Sequence, residues 1–273
     1  MVGQVTSAPV QASANADAAS DLACFGWSAR AWAAPWRAFR RAHPDLQVGD
    51  ALELGAGEHS SLAPLLLPLA ERVECSAYDA AVLPAIEARH RASLPPAEAA
   101  RMHWAQRDLH ALAGRWDLIV MKSVLGGVHR THNSRLADVH ATLERLRTQH
   151  LRPGGWLLTL DNGRTALEPL WSRFGARRNG WRFLGAQDFP PAAEHHSFGV
   201  LSSFSAATRL GAFGQRIDDA LYAADLALTP LARQHAVHLH VYRAPAWSCR
   251  RLTRPSARWT WRSACSPCRW RCR

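Results

Sequence analysis

Three acidic residues, Glu53, Asp79 and Asp108, each close an apolar or alternating run or lie just beyond one. A carboxylate in such a place can accept both hydrogen bonds of a ribose diol, or hold an ammonium or amino group. The first of them stands in Ala51-Leu52-Glu53-Leu54-Gly55-Ala56-Gly57-Glu58-His59-Ser60, an apolar run followed by a glycine-rich turn. Glycines there keep side chains away from a ligand that approaches the backbone. A glycine pair alone is common in turns. Its weight comes from the acids that follow in order.

A second set of residues could move protons. His129, His132 and Asp161 lie past two further apolar runs and are the candidates for a general base, a role worth about two to four orders of magnitude in rate. The chain has 14 histidines, most of which have to serve as surface or loop residues. Asp161-Asn162-Gly163 also reads as a turn, and His195-His196 as part of a loop. Cys265, Cys268, Cys272 and Cys249 could offer thiolates to zinc, but their spacing does not make two Cys-x-x-Cys knuckles, so no metal site is expected.

The elements that must position these residues follow a βα rhythm. Trp27, Trp32, Trp36 and Phe39 have near-helical spacing, and Pro35 predicts two helical pieces or a kink before His43-Pro44. Strands are expected at Ala51 to Leu54, Arg72 to Asp79, Met102 to Gln106, Trp116 to Met121 and Trp156 to Leu160. Helices are expected at Ser60 to Leu69, at Pro84 to Ser93, and from an Asn133 cap to His150, with Leu136, Val139, Leu143 and Leu146 as its apolar stripe. Gly126-Gly127 and Arg152-Pro153-Gly154-Gly155 read as turns. The last third predicts a strand at Phe198 to Phe204, a helix at Thr208 to Leu228, and a half-buried strand at His235 to Tyr242. This alternation implies a largely parallel sheet whose strand ends share one rim.

These motifs together resemble the class I S-adenosylmethionine-dependent methyltransferases, over roughly residues 45 to 245. Glu53-Leu54-Gly55-Ala56-Gly57 is similar to the family's first motif, and Asp79 to the acid that holds the ribose hydroxyls. Asp108-Leu109 resembles the motif that reads the adenine. Trp116-Asp117-Leu118-Ile119-Val120 with Lys122-Ser123 resembles the fourth-strand motif, and Leu151 to Leu158 the family's fifth-strand motif. The resemblance implies a Rossmann-like α/β fold: a seven-stranded, mostly parallel sheet with one antiparallel strand and helices on both faces. It implies S-adenosyl-L-methionine as cofactor, held by Glu53, Gly55, Ala56, Gly57, Asp79, Ala80, Asp108, Leu109, Lys122 and Ser123. His59 stands where the family commonly has a third glycine. The cofactor carries a sulfonium, an ammonium and a carboxylate but no phosphate, so Glu53 is expected beside the ammonium.

Composition bounds the partners. The formal charge is +11, but eight arginines lie in residues 245–273 without a single acid, which leaves +3 for the first 244 residues. A basic groove for nucleic acid is therefore not required of the body. No apolar run reaches membrane-spanning length. Cys24 and Cys75 suit a reduced compartment, and a cytoplasmic protein is expected. Residues 1–20 read as a disordered leader, 21–44 as a helical segment, 45–244 as the methyltransferase domain, and 245–273 as a disordered tail. The expected reaction is methyl transfer to a small acceptor at oxygen or nitrogen, assisted by His129, His132 or Asp161. The alternatives are an RNA methyltransferase aided by the tail, an inactive cofactor-binding relative, or an NAD(P)-dependent oxidoreductase. Nothing in the sequence fixes an oligomeric state.

Overall fold

The structure, a computed structural model, describes residues 22–26, 28–164, 180–201 and 211–245. The expectations for the leader, for Trp27, for residues 202–210 and for the tail fall outside this set.

Seven strands form one sheet: β1 (Val48–Leu54), β2 (Ala70–Ala77), β3 (Met102–Gln106), β4 (Trp116–Lys122), β5 (Leu151–Asn162), β6 (Glu194–Phe198) and β7 (Val237–Arg243). Their order is β3-β2-β1-β4-β5-β7-β6. Strands β1 to β5 are mutually parallel, and β7 runs antiparallel to both β5 and β6. The sheet is thus Rossmann-like with a single antiparallel strand, as expected. Because the order reverses between β1 and β4, a crevice opens at their carboxyl ends.

Side chains alternate between two cores, as the period of two in a strand requires. Ala51, Val73, Leu118, Leu158 and Leu239 meet α1 (Ala29–Ala42) and α2 (Ala63–Leu66) on one face. Leu52, Leu54, Ile119, Met121 and Leu157 pack on the other face, where α6 (Leu136–Arg145) supplies Val139 and Leu143. The further helices in chain order are α3 (Leu83–Ser93), α4 (Pro96–Ala99), α5 (Leu125–Val128) and α7 (Gly211–Leu228). The predicted stripe Leu136, Val139, Leu143 and Leu146 does face the core.

Several local expectations are corrected. Of the two readings for Pro35, two helical pieces or a kink, the first is excluded, because Pro35 lies inside one continuous helix, α1. An interior proline costs about 3 kcal/mol, which burial of Trp32, Trp36 and Phe39 offsets. Helix Ser60 to Leu69 shrinks to the single turn α2, since Gly57 and Ser60 first pair with each other. Asn133 does not cap α6; Arg135 begins it, with its N–H on Asp138 Oδ2 at 2.6 Å. Gly126 and Gly127 belong to α5 because Trp181 lies over them, 2.6 Å and 2.9 Å from where their Cβ atoms would be. Arg152 to Gly155 is no separate turn: β5 runs through it with a register shift against β4. That irregularity seats Arg152 on Asp50 at 2.6 Å and on Asp117 at 2.7 Å.

The end of the chain departs most. The strand placed at Phe198 to Phe204 is β6, which ends at Phe198, so His195 and His196 are strand residues and not loop residues. Strand β7 is buried on both faces, where alternation predicted half-burial. It sits between β5 and β6, with α1 on one side and Phe189 on the other. Hence His238 and His240 are interior residues, 2% and 3% exposed. Burial lowers their pKa values to about 3 and about 2. Both stay neutral when folded, while the unfolded chain binds their protons below about 6.5. Stability is therefore greatest above that pH and falls with acidification, by about 1.4 kcal/mol per pH unit for each histidine. Urea titrations between pH 7 and pH 4 should show this slope, and His240→Phe should make it shallower.

Candidate cofactor site

At the carboxyl ends of β1 to β4 lies a cavity of about 400 Å³ lined by Leu54, Gly55, Tyr78, Asp108, Leu109 and Val124, with Gly127, Val128 and Arg130 across from them. A cleft of this size with few polar groups suits a cofactor-sized ligand. Gly55 is fixed by its backbone. Its φ is +87°, and a Cβ there would lie 2.5 Å from Val124. The N–H groups of Gly55 and Ala56 both donate to Ser76 O, at 3.0 Å and 2.7 Å, so the loop is stitched to the end of β2.

Asp79 follows β2 and is exposed at the rim; its Oδ1 accepts Ala81 N–H at 2.9 Å, as cap of the turn that starts with Ala80. The same arrangement recurs after β3, where Asp108 Oδ1 accepts His110 N–H at 2.8 Å. Each acid uses one oxygen to shape its own loop. Leu109 is buried and supplies an apolar wall.

Glu53 differs from its expected role beside an ammonium. It is 2% exposed and accepts Ser61 Oγ at 2.5 Å, Leu62 N–H at 2.6 Å and Ala63 N–H at 2.9 Å. Burial raises its pKa, opposed by those hydrogen bonds. The carboxylate is committed to the start of α2, and its side chain serves the loop. The turn at Gly57 to Ser60 leaves His59 exposed, so it neither opens a helix nor crowds the cavity.

Lys122 ends β4 on the same face as Glu53, with Nζ 3.4 Å from Ser60 Oγ and 4.4 Å from the centre of the Trp32 ring. Burial lowers its pKa to about 7, against the pull of Glu53 and Asp161. Ser123 has a left-handed backbone, φ +56°, and its N–H reaches Leu160 O at 2.7 Å. Strain of this kind gathers at binding sites.

The proposed bases separate. His129 is buried, with Nδ1 2.9 Å from Ser134 Oγ and Nε2 2.9 Å from Thr142 Oγ1. Both ring nitrogens are spent, so it cannot serve as a base. His132 is exposed against Gly180 and is not among the described residues lining the cavity. Asp161 is buried behind α5, facing the amides of Gly126 and Leu125, and burial raises its pKa to about 6. Sequence reasoning missed Tyr78, Val124 and Arg130. Tyr78, 72% exposed beside Asp79, carried the one usable signal, an aromatic at a strand end. Among the described residues no group of three or more side chains is set to hold a metal ion, and no helix is long and apolar enough to cross a membrane.

No family model and no curated protein matches the chain. Among solved structures it is similar to the glycopeptide N-methyltransferase MtfA complexed with sinefungin, at 26% identity over 50% of this chain and 56% of that one, with a TM-score of 0.39. It thus spans little more than half the length of that neighbour. It is also similar to the N-methyltransferase NodS from Bradyrhizobium japonicum WM9 in complex with S-adenosyl-L-homocysteine, at 14% identity, 77% and 85% coverage and a TM-score of 0.45. A third likeness is magnesium protoporphyrin IX methyltransferase from Synechocystis PCC 6803, at 15% identity, 69% and 75% coverage and a TM-score of 0.43. With TM-scores below 0.5, these likenesses carry no argument of their own.

The division between loop-shaping and ligand-facing acids is testable. Glu53→Gln sets an amide against backbone donors and should lower the unfolding free energy by about 1–3 kcal/mol. Asp79→Ala, at an exposed rim, should change it by less than about 1 kcal/mol. Urea denaturation of both variants measures the difference.

Proposed function

We propose that this chain transfers a methyl group from S-adenosylmethionine to a small organic acceptor, at oxygen or nitrogen. The observation that carries this is the cavity itself. It gathers at one rim Gly55 and Asp108-Leu109, which the sequence resemblance assigns to the cofactor, together with Tyr78, the neighbour of Asp79. Asp79 and Asp108 each spend only Oδ1 on their own loop, so Asp79 has capacity for a ribose diol and Asp108 for an amino group. Leu109, Val124 and Tyr78 offer apolar walls for a flat base. Lys122 is the last residue of β4 and Ser123 follows it, next to Val124 of the wall.

When bound, the cofactor would supply an electrophilic methyl group on a sulfonium. The chain's share is to hold the acceptor in line with it and to exclude water, which can account for much of such an acceleration. A dinucleotide fits less well. A pyrophosphate needs free N–H groups at a helix start, and the Leu62 and Ala63 amides are already taken by Glu53. A small acceptor accords with the body's low net charge. A reducing compartment such as the cytoplasm suits the free thiols of Cys24 and Cys75.

Calorimetry tests the reading. S-adenosylhomocysteine should bind and NAD should give no heat. Asp79→Ala should weaken the former by roughly 10- to 100-fold, the worth of hydrogen bonds to a charged group. Absence of heat with S-adenosylhomocysteine, or an unaffected variant, would overturn it.

A further inference from the structure

A second cavity, of about 910 Å³, opens among the helices on the face of the sheet that α1 and α2 cover. It lies between the end of α1, the turn α2 and the link from α3 to α4. It shares no lining residue with the cofactor cavity.

Its charge is uneven. Arg37, Arg40 and Arg41 line it from α1, and Glu98 is the one acid among the described residues that line it. Positions three and four apart share one helical face, so these guanidinium groups stand together and repel. Helix α1 contains no Asp or Glu to offset them. The first 244 residues carry only +3 in all, so three cations at one cavity are a local concentration of charge. Arg40 Nη1 lies 3.3 Å from His43 O, which holds that side chain at the end of the helix.

The rest of the lining is largely apolar. Trp36 and Leu65 are buried in the wall, Leu94 is half-buried, and Pro44, Pro64 and Pro68 stand around them. A proline has a fixed φ and no N–H, so at those three positions the wall is rigid and gives an anion no backbone donor. Guanidinium groups supply donors instead, and take phosphate or carboxylate in paired hydrogen bonds.

We propose that this cavity is a second binding site, for a small organic anion with an apolar body. Its phosphate or carboxylate meets Arg37, Arg40 and Arg41, and its body lies along Trp36, Leu65 and Leu94. A neutral ligand would leave the arginines repelling one another. A bare inorganic ion would leave the apolar wall in water. The site stands independently of the methyl-transfer reading.

Calorimetry on the full chain with octyl phosphate, octanoate and inorganic phosphate tests the site. The octyl chain should tighten phosphate binding about tenfold or more over the inorganic ion. Whichever of octyl phosphate and octanoate binds tighter names the head group. Arg37→Gln combined with Arg41→Gln should weaken that ligand about 10- to 100-fold, the worth of charge-assisted hydrogen bonds. Arg41→Gln alone, at an exposed position, serves should the pair fail to fold. Residues 245–273 carry eight arginines that also attract anions, so binding is located at Cys24, a half-buried free thiol of the wall. Ligand at ten times its Kd should slow alkylation of Cys24, mapped by peptide mass, about tenfold. An unprotected Cys24, equal affinity for octyl phosphate and inorganic phosphate, or full affinity in the arginine variants would overturn the site. So would binding that appears only once residues 1–20 are removed, which would give the cavity to the chain's own start. A dimer that Arg41→Gln dissociates would give it to a second copy, and overturn it equally.

Discussion

The carboxylate of Glu53 reaches from the end of β1 to the first turn of α2, and the rim takes its shape from that reach. Its oxygens gather Ser61, Leu62 and Ala63, while its own carbonyl accepts Ser76 Oγ from β2 at 2.8 Å. One residue further, β1 ends at Leu54 and leads into Gly55 and Ala56, both tied to Ser76 O. A buried acid is tolerable only when its lone pairs are filled, because uncompensated burial costs several kcal/mol. Filling them fixes the loop. Gly55 can then sit under Val124 with its positive φ, and the cavity keeps its floor.

A second constraint comes from the far side of the sheet. Strand β7 is covered on both faces, by α1 on one and by Phe189 with His195 on the other. Helix α1 is anchored at its end by His43, 2.8 Å from Glu194 on β6, and at its start by Arg30, 2.6 Å from Asp219 on α7. The sequence ahead of β1 thus packs against the last strands of the sheet, and its Trp32 ring lies against Lys122 at the rim. The aromatic stripe is a structural element that also borders the site.

Much of the sheet was legible because strands and helices write different periods into a sequence. Strand β3 begins and ends where the pattern predicted, and β4 extends it by one residue. The acids at the rim were legible for the same reason, since each ends a recognisable run. What the periods could not show was the direction of a side chain at a strand end. Glu53 and Asp79 carry the same chemistry in similar places, yet one is buried in its own loop and the other exposed. His129 looked available beside a glycine pair, and two hydroxyls further along the chain, on Ser134 and Thr142, took both of its nitrogens.

The sequence by itself determined the alternation of strands and helices and the single rim with the acids that follow its strands, because these follow from local periodicity, glycine and proline. The tertiary structure decided which polar groups remain free at that rim. It did so through partners that lie on other elements: Ser61 for Glu53, α5 for Asp161, and β6 for His238. Strand β7 shows the reason most plainly. Its alternating histidines read as a solvent face, and only its place between β5 and β6 made that face interior.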